Sequence, residues 1–594
     1  MSVTIDVEDV AWVLDTILDG RTVDALLDAA DALAAELAKA RGTVASMDAT
    51  ALTACMKAQA ELSDTLGRAS SFASLRYATD TSDAERGALM QKVQERATAI
   101  ETQLLFFELE WAALDDAQAD ALLADERLMF CRHYLASVRR YRDHLLTEPE
   151  ERILTEKSVT GRSAWVRLFS DLTSAITVEL DGETVPLESG LSGLLQPDRE
   201  KRKQAADAVT AGLAPGLRTR AFLYNTLLHD KAVNDRLRGY PHWLASWNLA
   251  QQASDESVAA LVAAVKARYD IPQRWYALKA GLLGVERLAD YDRNAPTVDT
   301  DQSFDWDEGR ELVLDSYASF SPELADLARR FFDESWIDAP PRPGKRPGAF
   351  CSYTVASHHP YVFLNWTSRR NDVLTLAHEL GHGVHGALAR EQGIFHQSTP
   401  LTLAETASVF GETVVFGRLL EQADTPESRL SLLAEHVDGA VATVFRQTAM
   451  NQFEDAVHNA RRNEGELSVD RFGELWAQTQ TEMLGPSVEI TEGYRTWWSY
   501  IPHFIGTPGY VYAYAYGQLL ALSVYKQFEE RGTAFVPQYL ALLRAGGSDT
   551  PDVLARIVDC DLSDPGFWDG GLAIIDKELA AAEQAAVDAG RVKQ

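Results

Sequence analysis

Cysteine is scarce in this 594-residue chain, and the four cysteines stand far apart: Cys55, Cys131, Cys351 and Cys560. None forms a CxxC pair, so the sequence suggests neither a disulfide framework nor a cysteine-based zinc site. No apolar run approaches the roughly 18 residues that a membrane-spanning helix requires. The opening segment carries acidic side chains from Asp6 onward and no basic stretch, which argues against a secretory signal. These absences favour a cytoplasmic protein.

Positive charge is scarce as well. Lysine and arginine together number 56 against 88 acidic residues, which gives a formal net charge of −32 at pH 7. So acidic a surface repels phosphate backbones and anionic lipids, and we therefore expect neither nucleic acid nor a membrane as partner. Lysine is the rarer base, with 13 lysines against 43 arginines. That bias fits a GC-rich genome or a saline cytoplasm, and the sequence leaves both open.

The rest of the composition, 46% hydrophobic and 24% charged, is that of a folded protein with a large core. Apolar residues spaced by three and four, as in 23–42, predict a succession of helices to about residue 148. The pair Asp181-Gly182 lies between β-favouring runs and predicts a hairpin, and residues 349–356 and 361–366 predict a second one. Beyond residue 371 the pattern is almost wholly helical. We therefore expect a mainly α protein with small β-hairpins.

The segment His378-Glu379-Leu380-Gly381-His382 carries the residues that a zinc hydrolase needs. Positions i and i+4 of a helix share a face, so His378 and His382 can both bind one ion at about 2.0–2.1 Å. Glu379 lies beside them, placed to accept a proton from an attacking water. The motif also occurs by chance as two surface histidines on an ordinary helix. Here its flanks remain helical and half apolar, which favours the metal site.

A catalytic zinc needs a third protein ligand. The metzincin pattern would place it at residue 388, which is Leu388. His385 lies one turn beyond His382, but three histidines along one helix cannot surround a tetrahedral ion, so His385 is expected to pack beside the ligands. Glu405 and Glu412 share a face of the next, otherwise apolar helical segment, where a carboxylate is costly without a partner. We assign Glu405 as the third ligand and Glu412 as the residue that orients a ligand histidine.

Several segments resemble the M3 peptidases, the family of thimet oligopeptidase and oligoendopeptidase F. The resemblance rests first on TLAHELGHGVH at 375–385 and LAETASVFGE at 403–412. Further runs resemble the oligoendopeptidase F branch: ILTEKSVTGRSAWVRLFSDL at 153–172, QPDREKRKQAADA at 196–208, GKRPGAF at 344–350 and FLNWT at 363–367. The likeness covers most of the chain and is weakest before about residue 115.

The resemblance implies a multi-helical zincin-type fold with a deep active-site groove. We expect four segments: an amino-terminal helical region at 1–115, an oligoendopeptidase F-like domain with a hairpin at 116–200, a catalytic domain at 201–582 and a solvated tail at 583–594. In this family the helical amino-terminal part covers the groove. Substrates would therefore be short, unfolded peptides.

The family also has a late histidine followed by tyrosines that close over the metal. Here the resemblance implies that His503 and Tyr510 donate hydrogen bonds to the oxyanion of the transition state, while Tyr514 touches substrate. The spacing between His503 and Tyr510 is longer than in the thimet branch, which leaves the choice among the tyrosines open. Gly348 and Ala349, at the start of the second hairpin, are expected to meet an extended peptide by strand addition.

The expected function is zinc-dependent hydrolysis of internal peptide bonds in short oligopeptides, with one Zn²⁺ per chain. A metallocarboxypeptidase is one alternative, although it needs a positive group for the terminal carboxylate and the sequence singles out no arginine for it. An inactive peptide-binding protein with structural zinc is another. Structural sites usually use four protein ligands, and only three are evident here. The sequence carries no signal for an oligomeric state.

Overall fold

The computed structural model describes residues 7–298 and 302–593. It is 73% helical and 4% strand, which confirms the expected mainly α class. The α-helices are α1 Val23–Leu37, α2 Ala49–Thr79, α3 Ala84–Ala112, α4 Asp116–Leu123, α5 Arg132–Arg139, α6 Glu148–Ser158, α7 Arg162–Ser174, α8 Leu187–Ser192, α9 Arg199–Leu213, α10 Leu217–Arg238, α11 Ala245–Ala250, α12 Asp255–Ala267, α13 Asp270–Leu282, α14 Trp306–Phe320, α15 Pro322–Asp333, α16 Arg370–Ala389, α17 Leu401–Gln422, α18 Pro426–Ala440, α19 Gln447–Glu464, α20 Val469–Leu484, α21 His503–Gly506, α22 Tyr512–Arg531, α23 Val536–Ala545, α24 Pro551–Ala555 and α25 Pro565–Asp588. The strands are β1 Thr177–Leu180, β2 Glu183–Pro186, β3 Leu288–Ala289, β4 Ile337–Asp338, β5 Phe350–Ser352, β6 Tyr361–Phe363 and β7 Val488–Glu489.

The chain forms two compact units, and each gathers three separate stretches of sequence. The first unit takes residues 7–142, 302–418 and 524–561, and the second takes 143–298, 419–523 and 562–593. Helices α17 and α22 each contribute residues to both units.

In the first unit, the amino-terminal helices pack on the turn between β5 and β6. Arg68 of α2 donates to the carbonyl of Ile17 and to the hydroxyl of Ser357, and it pairs with Asp64 one turn earlier. Beside it Gly67 has no side chain, and a Cβ there would approach a Val355 methyl carbon to 2.5 Å. The helical region that the sequence predicted before residue 148 thus rests on the segment that carries β5.

Both predicted hairpins form. Strands β1 and β2 pair antiparallel around Asp181 and Gly182, whose φ angles of 54° and 84° suit a tight hairpin turn. Strands β5 and β6 also pair antiparallel, with Phe350 opposite Phe363, but they are shorter than the predicted runs. The two-residue β4 adds a parallel pairing on the other side of β6, so β5 is an edge strand.

The second unit is built on long helices around a core that includes Tyr224, Phe453 and Trp476. Strands β3 and β7 pair in parallel there, and β7 is a short exception to the almost wholly helical pattern predicted after residue 371. Helix α25 continues to Asp588 and buries Ala586 completely, so the first half of the segment predicted as a solvated tail from residue 583 is helical. Among the described residues, no helix has the length and apolar content to cross a membrane.

Candidate metal centre

Helix α16 carries the two histidines. Asp372 caps the start of this helix, because its carboxylate accepts hydrogen bonds from the backbone N–H groups of Thr367 and Arg369. A carboxylate at this end also complements the helix dipole. The helix then buries Leu376, Leu380 and their neighbours, which leaves His378 and His382 on a half-buried face.

Helix α17 crosses α16 at very short range because glycine occupies the crossing point. A Cβ at Gly381 would overlap the carbonyl oxygen of Ala407 and would lie 2.6 Å from the Cα of Ser408. Nearby, the hydroxyl of Tyr317 donates to the carbonyl of Ala377 at 2.7 Å, and the absence of a side chain at Gly411 leaves room for that hydroxyl. This close crossing brings the start of α17 to the two histidines.

Three donor side chains converge at this point. Oε2 of Glu405 lies 3.3 Å from Nε2 of His378 and 3.6 Å from Nε2 of His382. Candidate ligand atoms of the three residues all lie within 4.8 Å of one another, and no other group among the described residues meets that condition. Two imidazole nitrogens and one carboxylate form the donor set of a catalytic zinc site, so these residues fit a zinc ion.

Two further side chains hold the donors in place. Oε2 of Glu412 lies 3.2 Å from Nδ1 of His378, and this contact directs the other ring nitrogen toward Glu405. The hydroxyl of Ser408 donates to Oε2 of Glu405 at 2.5 Å. The sequence analysis placed Glu412 here but missed Ser408, for which the i+3 spacing from Glu405 was the available signal.

The charges of the site favour a cation. Burial alone would lower the pKa of His378, but its hydrogen bonds to Glu405 and Glu412 outweigh this and raise the value to about 10. Burial would raise the pKa of Glu405, yet the neighbouring His378 lowers it to about 2. Burial lowers the pKa of His382 to about 4, so that imidazole is neutral and keeps a lone pair for a metal.

Glu379 lies on the same helix, next to His378. It is 8% exposed, and burial, together with the charge of Glu405, raises its pKa to about 7 although His378 acts in the opposite direction. A carboxylate that titrates near neutral pH can both accept and return a proton during turnover.

A cleft of about 400 Å³ opens beside Glu379 and His382. Its remaining lining residues are Ala349, Phe350, Cys351, Tyr353, Ser398, Thr399 and Ala404. Ala349, for which the sequence analysis predicted contact with a peptide, is thus part of the cleft wall. Gly348 is exposed, has a φ of 88° and presents its carbonyl to the side-chain amide of Asn365. The contribution of Ser398 and Thr399 was missed, because the loop before α17 carries no motif and gives no sequence signal.

His385 lies outside the group of converging donors. It is 2% exposed, its ring lies 6.4 Å from that of Tyr353, and burial lowers its pKa to about 3. These surroundings are those of a packing residue.

His503 and its tyrosines form a cluster within the second unit. His503 begins the short helix α21, and the chain turns at 507–511 before α22. The hydroxyl of Tyr514 lies 3.4 Å from Nε2 of His503, while the ring of Tyr510 lies 5.9 Å from that of His503 and 5.0 Å from that of Tyr514. Tyr512 and Tyr516 point elsewhere and are fully buried. The structure thus pairs His503 with Tyr514 by hydrogen bonding and places the ring of Tyr510 beside both.

Two histidines on one helix, a carboxylate from the next and a buried glutamate beside them define the class of helix-borne metal-dependent hydrolases. The chain belongs to peptidase family M3, whose model matches residues 194–573, while a model described as oligopeptidase F matches residues 110–177. It is therefore a metallopeptidase that hydrolyses peptides.

Similar proteins cover almost the whole chain. Oligopeptidase PepF of Bacillus subtilis is 26% identical over 92% of this chain and 83% of its own length. Group B oligopeptidase PepB of Streptococcus agalactiae is 26% identical over 88% of each chain. Among solved structures, a peptidase from Chlamydophila abortus aligns with a TM-score of 0.88 over 98% of this chain and 99% of its own, at 22% identity. Oligoendopeptidase F from Enterococcus faecium gives 0.70 over 95% and 99%, at 21% identity. Both show the same fold.

Proposed function

We propose that this metallopeptidase is a zinc-dependent endopeptidase of short oligopeptides, with one Zn²⁺ held by His378, His382 and Glu405. The observation that carries the proposal is the convergence of these three donors beside Glu379. The names of the similar proteins, oligopeptidase and oligoendopeptidase, agree with it. The cytoplasm is the proposed location, supported by four cysteines that all remain free thiols.

Each residue of the site has a distinct part in the proposed reaction. When bound, zinc supplies Lewis-acid chemistry that polarises the scissile carbonyl and makes water more acidic. Glu379 accepts a proton from the attacking water and delivers it to the nitrogen of the leaving amine. Glu412 keeps His378 oriented, and Ser408 does the same for Glu405.

Oxyanion stabilisation is assigned to the His503 cluster. Burial lowers the pKa of His503, so its imidazole is neutral and can donate one hydrogen bond from one ring nitrogen. Tyr510 and Tyr514 are half-buried phenols beside it, and either can donate to a developing oxyanion. Removing one such donor typically costs roughly 10²–10³ in rate.

The proposed substrate lies extended along the edge strand β5. Backbone groups of Gly348 and Ala349 precede that strand, and Ala349 already lines the cleft. An edge strand offers unpaired N–H and C=O groups to a peptide backbone whatever its side chains. No lysine or arginine lines the described part of the cleft, so nothing there seats a terminal carboxylate. This favours endopeptidase action over carboxypeptidase action.

Chelation and a single substitution test the proposal together. A quenched peptide should no longer be cleaved after the metal is removed, and added zinc should restore cleavage. Glu379→Gln should keep zinc but lose roughly 10²–10⁴ in kcat, because a neutral amide cannot accept the proton. Mass spectrometry of the products from a peptide library then separates internal from terminal cleavage. Full activity without bound metal, or in the Gln variant, would sink the mechanism.

A further inference from the structure

Helix α19 has a buried polar face that the proposed mechanism does not use. Asn451, Glu454 and His458 follow one another at spacings of three and four, and they are 3%, 0% and 2% exposed. Polar side chains in such surroundings cost stability unless hydrogen bonds replace those they made with water. The face therefore needs an explanation beyond packing.

Glu454 contacts the turn that carries Tyr510. Its Oε1 accepts a hydrogen bond from the backbone N–H of Gly509 at 2.9 Å. Gly509 has a φ of 87°, and a Cβ there would lie 2.7 Å from a methyl carbon of Leu244, so this position suits glycine alone. The next residue, Tyr510, donates its own backbone N–H to the carbonyl of Thr507. The carboxyl of Glu454 thus holds the peptide group between Pro508 and Gly509, one residue before Tyr510.

The turn has space to move if that contact is lost. A cavity of about 70 Å³ is lined by Pro508 of the turn, by Phe504 and Ile505 of α21, and by Tyr224 and His458. A polar cavity of this size can hold water and does not fix the turn by packing. The hydrogen bond that Glu454 accepts from Gly509 therefore restrains the turn more specifically than packing does.

We propose that Glu454 is a positioning residue that holds the turn at 507–511 in one conformation, and through it places Tyr510 beside His503 for oxyanion stabilisation. This inference rests on the proposed role of the tyrosine cluster. It assigns no contact between Glu454 and the substrate.

The protonation and the contacts of Glu454 indicate that this residue does more than fill space in the core. Burial raises its pKa to about 8, although the Gly509 N–H opposes this, so the carboxyl is largely neutral at pH 7. Its Oε2 has no hydrogen-bond partner among the described residues, and the same holds for the Tyr224 hydroxyl and both ring nitrogens of His458. An unsatisfied buried group costs about 1–3 kcal/mol, so a leucine would serve a purely structural core better.

Two substitutions at residue 454 separate positioning from packing. Glu454→Leu keeps the volume but removes the acceptor, and it should lower kcat about 10- to 100-fold with KM changed less than about twofold, as loss of a transition-state interaction does. Glu454→Gln keeps an acceptor oxygen and should restore kcat to within about threefold of the parent. Asn451→Leu, one turn earlier on the same face, is the matched control and should leave kcat unchanged.

A direct measurement of the turn accompanies the kinetics. Hydrogen exchange of the peptide that spans 502–511 should speed up in Glu454→Leu and return to the parent rate in Glu454→Gln. Gly509→Ala is a second test of the turn, because the added Cβ strains the same segment. This variant should also lower kcat. It keeps the test available if Glu454→Leu does not fold. Unchanged exchange and unchanged kcat in the folded variants would overturn the inference.

A double-variant cycle distinguishes failure of this inference from failure of the proposed function. If Glu454 acts through Tyr510, the pair Glu454→Leu with Tyr510→Phe should be no slower than Tyr510→Phe alone. Additive losses would overturn positioning through Tyr510. A loss in Tyr510→Phe with none in Glu454→Leu would overturn the positioning role alone. Full activity in Tyr510→Phe would overturn both the donor role and the inference that rests on it.

Discussion

At the scale of single residues, two of the three donors of the metal centre are held by a neighbouring side chain. Glu412 contacts the far nitrogen of His378, and Ser408 donates to Glu405. Such contacts limit the orientations that a donor can adopt and so reduce the entropy lost when a metal binds. The two glutamates of α17 should therefore differ sharply when they are removed.

Glu405→Ala should lose zinc, because two histidines are left to bind it alone. Glu412→Ala should keep zinc with an affinity weaker by roughly 10- to 100-fold, as for other residues that support a ligand. The dissociation constants can be measured by competition with a chromogenic chelator. Each variant serves as the control for the other, since both remove one carboxylate from the same helix. If Glu412→Ala loses the metal and Glu405→Ala retains it, the two roles are exchanged.

The tyrosine cluster yields a second prediction at this scale. Tyr510→Phe should lower kcat by roughly 10²–10³ with little change in KM, because a donor to the oxyanion acts mainly in the transition state. Tyr514→Phe removes the hydroxyl that lies near His503 and tests whether that pairing matters. Tyr512→Phe is the control, since Tyr512 is buried and donates to Asn248. Loss confined to Tyr514→Phe would make Tyr514, rather than Tyr510, the principal donor.

At the scale of secondary-structure elements, the centre depends on the close crossing of α16 and α17. The histidines come from one helix and the carboxylates from the other, so the crossing distance sets the space between ligands. Glycine at residue 381 is what permits the backbones to approach. The edge strand β5 forms the third wall of the site, because this strand and the preceding Ala349 line the cleft.

Gly381→Ala should therefore weaken zinc binding and destabilise the fold by about 1–3 kcal/mol, the usual cost of overpacking a tight contact. Thermal denaturation and zinc content measure the two effects. Gly417→Ala on α17 is the matched control, because a Cβ there meets nothing within 4 Å. It should bind zinc normally and gain a few tenths of a kcal/mol to about 1 kcal/mol in helix propensity. Normal zinc binding in Gly381→Ala would show that the crossing tolerates a methyl group.

At the scale of the whole molecule, substrate selection follows from the need for an extended chain beside β5. A folded protein presents such a segment only after local unfolding, at a free-energy cost set by its own stability. Peptides of about five to twenty residues carry no comparable penalty. The groove implied by family resemblance would strengthen this selection.

A short peptide should thus be cleaved efficiently, whereas the same sequence within a well-ordered helix of a folded protein should be largely spared. Both substrates can be incubated with the enzyme and their products followed by mass spectrometry. A destabilised variant of the folded substrate is the control, and its cleavage should rise with the fraction unfolded. Comparable rates for the peptide and the stable protein would contradict selection by unfolding.

The sequence by itself determined those features whose residues lie close together on one secondary-structure element. The four-residue spacing of His378 and His382 fixes their common helix face, and Glu379 follows from the same short motif. The Asp181-Gly182 turn fixed a hairpin in the same local way. Glu405 also followed from the sequence, because a carboxylate in an apolar helix needs a partner.

Only the tertiary structure decided what distant segments do to one another. It brought Ser398 and Thr399 to the cleft, paired β4 with β6, and set Glu454 against Gly509. It also carried α25 into the segment that looked like a solvated tail. Periodicity reports which side of an element is buried, whereas the partner on that side is selected by shape and by the pairing of buried polar groups. Those quantities depend on the whole packed chain.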